Sequence, residues 1–314
     1  MSAIGSVPRI RPRRLRPGDR IALVAPASPF KRDELEAGVL ELGRLGFEAV
    51  YDERVFARER FVSGDATLRA AVLQDAWQDP TVSAIMAIRG GYGSAELLPL
   101  LTPDLLRASR KAFVGYSDTT TLLTFHLRHG LVCFHGPMID RRLSAGEAAY
   151  HRESLLSALT RAEPMGALMP AGLEVLRQGE ADGTLVGGTL TQLAASMGTP
   201  WALCPPDGCV LFLEDVSERP YRIQRMLTQL AQAGVLAKAA ALVFGEFPSC
   251  DEPGGELVIR DVLSDWVGAF RGPVLFGFPS GHTLGAAWTL PLGVRARVVT
   301  APQAAVVIEE AAVE

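Results

Sequence analysis

Short continuous apolar runs alternate with stretches of helical period through the first half of this 314-residue chain, and that alternation leaves few architectures open. Residues 21–25 form an unbroken apolar run that ends at Pro26, as a strand buried on both faces of a parallel sheet does. Leu35, Val39, Leu42 and Leu45 then recur at helical spacing until Gly46 closes the segment. The pattern repeats with a strand over 48–51, a polar loop over 52–64, and a helix over 65–79 that turns Leu68, Val72 and Leu73 inward. A third strand, 83–88, runs into Arg89-Gly90-Gly91-Tyr92-Gly93-Ser94. A fourth begins at Lys111 and breaks at Gly115 into Tyr116-Ser117-Asp118-Thr119-Thr120-Thr121, whose hydroxyls and carboxylate suit a helix start. A helix to about residue 129 and a strand over 131–134, ending in His135-Gly136-Pro137, complete the series. The expected fold is α/β: an open parallel sheet flanked by helices, followed by a mixed α/β domain rich in strands.

The period weakens between residues 140 and 183, where polar helix and Pro/Gly segments replace it. The chain therefore divides into an N-terminal domain over 1–140, a linking region over 141–183 and a C-terminal domain over 184–314. The last opens with a glycine-interrupted strand, 183–190, and a helical stretch to Met197. An apolar strand over 209–213 delivers Glu214-Asp215, and an amphipathic helix occupies 218–230. Apolar strands over 239–247 and 273–278 follow, the second ending in Pro279-Ser280-Gly281-His282-Thr283, and the tail over 289–310 alternates like strands.

Composition excludes several roles. Hydrophobic residues make up 48% and charged residues 21%, ordinary values for a soluble globular enzyme. A net charge of −4 supplies no field to gather nucleic acid. Six arginines between Arg9 and Arg20, set among prolines, read as a solvated, extended lead-in to the first strand. No apolar run approaches the roughly 18 residues of a membrane span. Cys133, Cys204, Cys209 and Cys250 form no C-x-x-C pair, so free thiols in a reducing, cytoplasmic compartment are expected.

The chemistry concentrates at strand ends. Ser117 sits on a strand-to-helix turn spaced like a nucleophile elbow, except that Thr119 occupies the place of the second glycine. On its own such a segment is as well explained as a capped helix start. A nucleophilic serine needs an imidazole to take its proton and a carboxylate to orient that imidazole. His126, His129 and His151 lie in helical or linking segments; His135 and His282 follow apolar strands in glycine-containing loops, and His282 has the more open turn. Glu214 follows five apolar residues, where a lone carboxylate is costly to bury. Either a histidine or a nearby arginine, Arg219 or Arg222, would satisfy it. The glycines at 90, 91 and 93 let backbone amides approach a ligand, as an oxyanion-hole loop must, or simply make a tight turn.

In order along the chain, Ala87-Ile88-Arg89-Gly90-Gly91-Tyr92-Gly93, Gly115-Tyr116-Ser117-Asp118, Gly187-Gly188-Thr189, Leu213-Glu214-Asp215-Val216, Tyr221-Arg222 and Gly281-His282 resemble the LD-carboxypeptidases of serine peptidase family S66. The similarity runs from Arg16 to Gly293. That family includes a cytoplasmic murein tetrapeptide carboxypeptidase and the microcin C self-immunity peptidase. The resemblance implies Ser117 as nucleophile, His282 as general base and Glu214 as its orienting acid, with the amides of Gly91 and Asp118 as oxyanion hole. It further implies a site between the two domains, a homodimer, and no metal or cofactor. The implied reaction removes a terminal D-alanine from a muropeptide tetrapeptide, with Arg89 and Arg219 as candidates to grip substrate carboxylates. A microcin-type peptidyl-nucleotide amide hydrolase and a non-catalytic two-domain binder are the alternatives; the former would want an aromatic platform such as Trp201 or Trp288. Family members often carry an asparagine after the histidine, whereas this chain reads Thr283-Leu284-Gly285-Ala286-Ala287-Trp288, so substrate contacts of that loop do not carry over.

Overall fold

A computed structural model describes residues 4, 5 and 7–314. In the first half β1 (Arg20–Val24), β2 (Glu48–Val50), β3 (Val82–Ala87), β4 (Ala112–Gly115) and β5 (Cys133–His135) alternate with α1 (Arg32–Arg44), α2 (Ala66–Gln78), α3 (Pro103–Ser109) and α4 (Thr120–Arg128). Local chemistry explains the helix starts. Asp33 and Glu34 lie in the first turn of α1 and Arg44 in its last, complementing the helix dipole. The Asp65 side chain accepts the Leu68 N–H at 2.7 Å and caps α2. Pro103 fits the first turn of α3, where its missing N–H costs nothing.

The second half adds α5 (Arg152–Thr160), β6 (Pro164–Leu168), β7 (Glu174–Arg177), β8 (Glu180–Thr189), α6 (Leu190–Ala195), β9 (Cys209–Glu214), α7 (Pro220–Gln232) and β10 (Ala239–Phe244). It closes with α8 (Ile259–Trp266), β11 (Val274–Phe276), β12 (Leu290–Leu292), β13 (Arg295–Val299) and β14 (Ala305–Ala311). The strands form two sheets, one of six in the order β12-β5-β4-β3-β1-β2 and one of eight in the order β6-β14-β13-β8-β9-β10-β11-β7. The first sheet is parallel from β5 to β2 and takes β12 antiparallel on its edge. In the second, β8 to β11 are parallel and the flanking strands antiparallel.

Two features depart from the expectation. The region over 141–183 is not merely connecting chain, because it supplies α5 and two outer strands of the second sheet. Those strands are half-exposed, which blurs any alternation. The second is β12, which leaves the C-terminal half to pair with β5, Leu290 opposite His135. The arginine arm is extended and exposes Arg9, Arg13, Arg14 and Arg16, as expected, and is anchored where Ile10 bridges Leu131 and Arg9 bonds both the Gly293 carbonyl and Glu310.

A glycine pair shapes the end of β8, one packing within its own sheet and the other against the first half. Gly187 and Gly188 hold φ of +137° and +143°; a Cβ on Gly187 would lie 1.8 Å from the Phe212 carbonyl oxygen, and one on Gly188 would meet Thr120 at 2.7 Å. Glycine is the residue that lets β8 lie against β9 and meet the start of α4. The Thr189 N–H then donates to Thr120 Oγ1 at 3.1 Å. No helix among the described residues is long and apolar enough to cross a membrane.

Candidate active site

Ser117 lies directly beyond β4 with φ +63°, a left-handed value that a non-glycine residue adopts at a cost of about 1–3 kcal/mol. The next residues make one 3-10 turn, Ser117–Thr119, that feeds α4. The departure from a two-glycine elbow has a local explanation. A Cβ on Gly115 would lie 2.4 Å from Thr119 Oγ1, so the first glycine makes the room, and that hydroxyl donates to the Tyr116 carbonyl at 2.9 Å.

The glycine-rich loop after β3 packs on this turn. A Cβ on Gly90 would stand 2.9 Å from Ser117 Cβ, and one on Gly91, at φ +98°, would strike Ser28 Oγ at 2.5 Å. The Asp118 carboxylate accepts the Ser94 N–H at 2.8 Å, while Ser94 Oγ donates to the Asp118 carbonyl at 2.7 Å. Burial raises the Asp118 pKa against those hydrogen bonds. Beyond its amide, then, Asp118 uses its side chain to fasten the loop to the serine turn. As second residue of the 3-10 turn its N–H has no acceptor within that turn.

At the end of β9 Glu214 is fully buried. Its Oε2 accepts both the backbone N–H of His282, at 3.0 Å, and Nδ1 of that ring, at 2.8 Å. Thr189 Oγ1 donates to Oε1. Among the described residues no arginine pairs with it, which removes the ion pair with Arg219 or Arg222 that the sequence left open; Arg219 instead pairs with Glu252 on the surface, and Arg222 with Glu218. Burial pushes the Glu214 pKa up, but the charge and hydrogen bonds of His282, with His135 close by, outweigh it and hold the carboxyl well below its ordinary range. Burial likewise pulls His282 down, and Glu214 overcomes it, so the imidazole stands above its usual 6.5. With Nδ1 donating to the carboxylate, Nε2 is the nitrogen left to take a proton. Its ring meets Tyr116, the neighbour of Ser117, edge-on at 5.0 Å between centroids.

His135 and His282 are not alternatives; the fold uses both. His135 Nε2 lies 3.7 Å from Glu214 Oε1, beyond hydrogen-bond distance, and its Nδ1 meets Ser280 Oγ at 2.9 Å. Gly281, at φ +79°, fits between them, since a Cβ there would come within 2.6 Å of His135 Cε1 and 2.8 Å of Glu214 Cδ. Asp215 points the other way. Its Oδ2 accepts the Thr191 N–H and hydroxyl at the start of α6, and burial with the adjacent Glu214 charge pushes its pKa up to about 6.

Of the two arginines considered for substrate, Arg89 adjoins Gly90, ion-pairs with Asp140 at 3.3 Å and donates to the Pro29 carbonyl at 2.7 Å. Arg219 stands just before the first turn of α7 and is engaged by Glu252. Trp288 stacks on His151 at 3.8 Å, and Trp201 lines a small cavity with Leu193 and Thr124. Glu246 was not singled out by the sequence; it accepts the Leu284 N–H at 2.8 Å and the Thr283 hydroxyl, steadying the loop that carries His282.

A strained serine turn, a glycine loop and a buried carboxylate holding an imidazole, set where two α/β layers meet, are the parts of a hydrolytic site. Residues 21–136 match the model of the LD-carboxypeptidase N-terminal domain and residues 182–298 that of the LD-carboxypeptidase C-terminal domain. The murein tetrapeptide carboxypeptidase of Pseudomonas aeruginosa is 34% identical over 84% of this chain and 88% of its own. The crystal structure of muramoyltetrapeptide carboxypeptidase from Oxalobacter formigenes superposes with a TM-score of 0.81 at 32% identity, covering 93% of this chain and 99% of that one. The microcin C7 self-immunity protein MccF, in complex with aspartyl sulfamoyl adenosine, superposes at 0.89 with 25% identity, covering 97% and 100%. The chain belongs to the LD-carboxypeptidase family, peptidase family S66, and is a peptidase.

Proposed function

We propose that the protein is a serine-type L,D-carboxypeptidase that removes the terminal D-alanine of muropeptide tetrapeptides. The observation that carries the reading is the buried Glu214–His282 pair, bonded at 2.8 Å and packed against the residue that precedes a strained Ser117. In this reading Ser117 Oγ attacks the carbonyl of the penultimate residue as His282 Nε2 takes its proton. The Gly91 and Asp118 amides receive the oxyanion. His282 returns the proton to the departing amine of D-alanine, and water, activated by the same imidazole, hydrolyses the acyl-enzyme. Arg89, beside Gly90, is the better placed cation for a substrate carboxylate; Arg219 would first have to leave Glu252. A homodimer in the cytoplasm belongs to the same proposal, and sedimentation reads its oligomeric part.

The likeness to MccF keeps a peptidyl-nucleotide amide in view as substrate, but Trp288 is already stacked on His151 and Trp201 is partly buried beside α6. The murein reading is therefore preferred. The deciding experiment incubates wild type, Ser117→Ala and His282→Ala with L-Ala-γ-D-Glu-meso-diaminopimelate-D-Ala and follows D-alanine by mass spectrometry. Release by wild type alone is expected, with each substitution costing at least about 10³-fold. An intact tetrapeptide with wild type would overturn the murein assignment, and the same proteins would then be tried on aminoacyl sulfamoyl adenosine.

A further inference from the structure

Arg142 belongs to the region over 141–183, and no feature of the sequence draws attention to it. Its Nη1 donates to the carbonyls of Gly285 at 3.0 Å and Ala149 at 3.3 Å, and its Nη2 to those of Gly281 at 2.9 Å and Thr283 at 3.0 Å. Three of those carbonyls belong to the loop that carries His282, on either side of the histidine. The preceding Arg141 is held at φ +61°, so the backbone is strained where it delivers this side chain. A planar guanidinium with several fixed donors is the one side chain able to gather carbonyls in this way; an ammonium is a point charge with a different geometry.

We propose that Arg142 is a positioning residue for the general base: by gathering the Gly281, Thr283 and Gly285 carbonyls it sets where the His282 imidazole stands relative to Ser117. This rests on the serine-hydrolase reading above. Glu214 fixes the rotation of the ring through Nδ1, Glu246 holds the loop from the Thr283 and Leu284 side, and Arg142 fixes the backbone from which the ring projects. A second consequence is electrostatic. The charged and titratable groups that face His282 are Glu214 and Asp215 at the end of β9, Tyr116 after β4, and Arg142, with His135 beyond Glu214. Among them Arg142 is the cation that opposes the imidazolium, and it also works against the burial that raises the Tyr116 phenol. The arginine thus limits how far Glu214 raises the base, keeping more of it neutral and able to accept a proton.

The test compares wild type, Arg142→Lys and Arg142→Ala by two readouts. One is the rate at which a fluorophosphonate labels Ser117 between pH 5 and 9; the other is the NMR titration of the His282 ring in 15N-histidine-labelled protein. Arg142→Ala should label about 10²-fold more slowly, the size of effect that a misplacement near 1 Å produces, and millimolar guanidinium should recover part of it. Its His282 should also titrate at higher pH than in wild type. Arg142→Lys should keep the wild-type titration because the charge remains, yet lose most of the rate because the fork is gone. If Arg142→Ala does not fold, Arg142→Lys decides: a wild-type rate in that protein overturns the proposal. Equal rates and equal titrations in all three overturn it too, as does a slower Arg142→Ala whose titration is unmoved and which guanidinium does not rescue. Failure of wild type to label at Ser117 would refute the serine reading instead, and the NMR titration, which needs neither nucleophile nor substrate, still decides the electrostatic part.

Discussion

Ser117 at φ +63° and Glu214 without exposed surface are both arrangements that a chain adopts only where neighbours compensate them. For Glu214 the compensation is His282, and the pair should be visible in pH dependence. In the proposed mechanism His282 is the general base, which works when neutral, so activity should rise with pH through the His282 pKa, which Glu214 raises from the usual 6.5. In Glu214→Gln the main influence that raises the ring is gone while burial and Arg142 still lower it, and the acid limb of kcat/KM should move below that of wild type. The rate should fall about 10³- to 10⁴-fold at the same time, because the ring loses the partner that sets its tautomer. Steady-state profiles between pH 5 and 9 check this, and an unmoved acid limb would show that Glu214 does not set the base. Ser117, Glu214 and His282 could be picked out in the sequence as candidates because each lies at or beyond the end of an apolar run, as residues at the rim of a parallel sheet do, and the family resemblance chose their roles among the alternatives the residues left open. Arg142 and Glu246 were not, since they act on backbone carbonyls and amides of a remote loop and leave no pattern of residue types. His135 was seen and passed over, because spacing cannot show that two histidines flank one carboxylate.

Strands and helices followed their periods closely wherever one face is fully buried. β1, β3, β4 and β9 read directly from largely apolar runs, α1 from helical spacing with an acidic first turn, and α2 from helical spacing behind the Asp65 cap. β6 and β7 escaped because their half-exposed residues show no clean alternation. β12 falls inside the stretch read as strands, but its place in the first sheet escaped: Leu290-Pro291-Leu292 holds a proline, tolerable at an edge, and its partner β5 lies far back in the chain. β8 packs tightly on β9 at Gly187. Gly187→Ala would place a methyl group against the Phe212 carbonyl at a φ that alanine resists, with a loss of about 2–5 kcal/mol when strain and overpacking combine. Urea unfolding followed by circular dichroism measures it, and a midpoint equal to wild type would contradict the close approach of β8 to β9.

Taken whole, the molecule ties its two sheets together more than once. Thr189 bonds Thr120 across them, Arg142 binds the loop that bears His282, and β12 completes the first sheet from the C-terminal half. Heating should therefore give one calorimetric transition, with calorimetric and van't Hoff enthalpies in agreement. Two separated transitions would show that the sheets melt independently despite these ties. The division of family similarity into N- and C-terminal parts, residues 21–136 and 182–298, does not follow this pattern of hydrogen bonds, since β12 falls in the second part and pairs in the first sheet.

That crossing has a consequence for how such chains can be recombined. A chimaera joined between two relatives anywhere in residues 141–183 brings its histidine loop and the outermost strand of the first sheet from one parent, and the serine turn and β5 from the other. Leu290 must then find His135 in register across a foreign seam, and the same seam decides where the imported imidazole hangs. Grafted halves should fail or succeed according to the match of three residues on each side, so the edge of one sheet acts as a compatibility test for the chemistry of both.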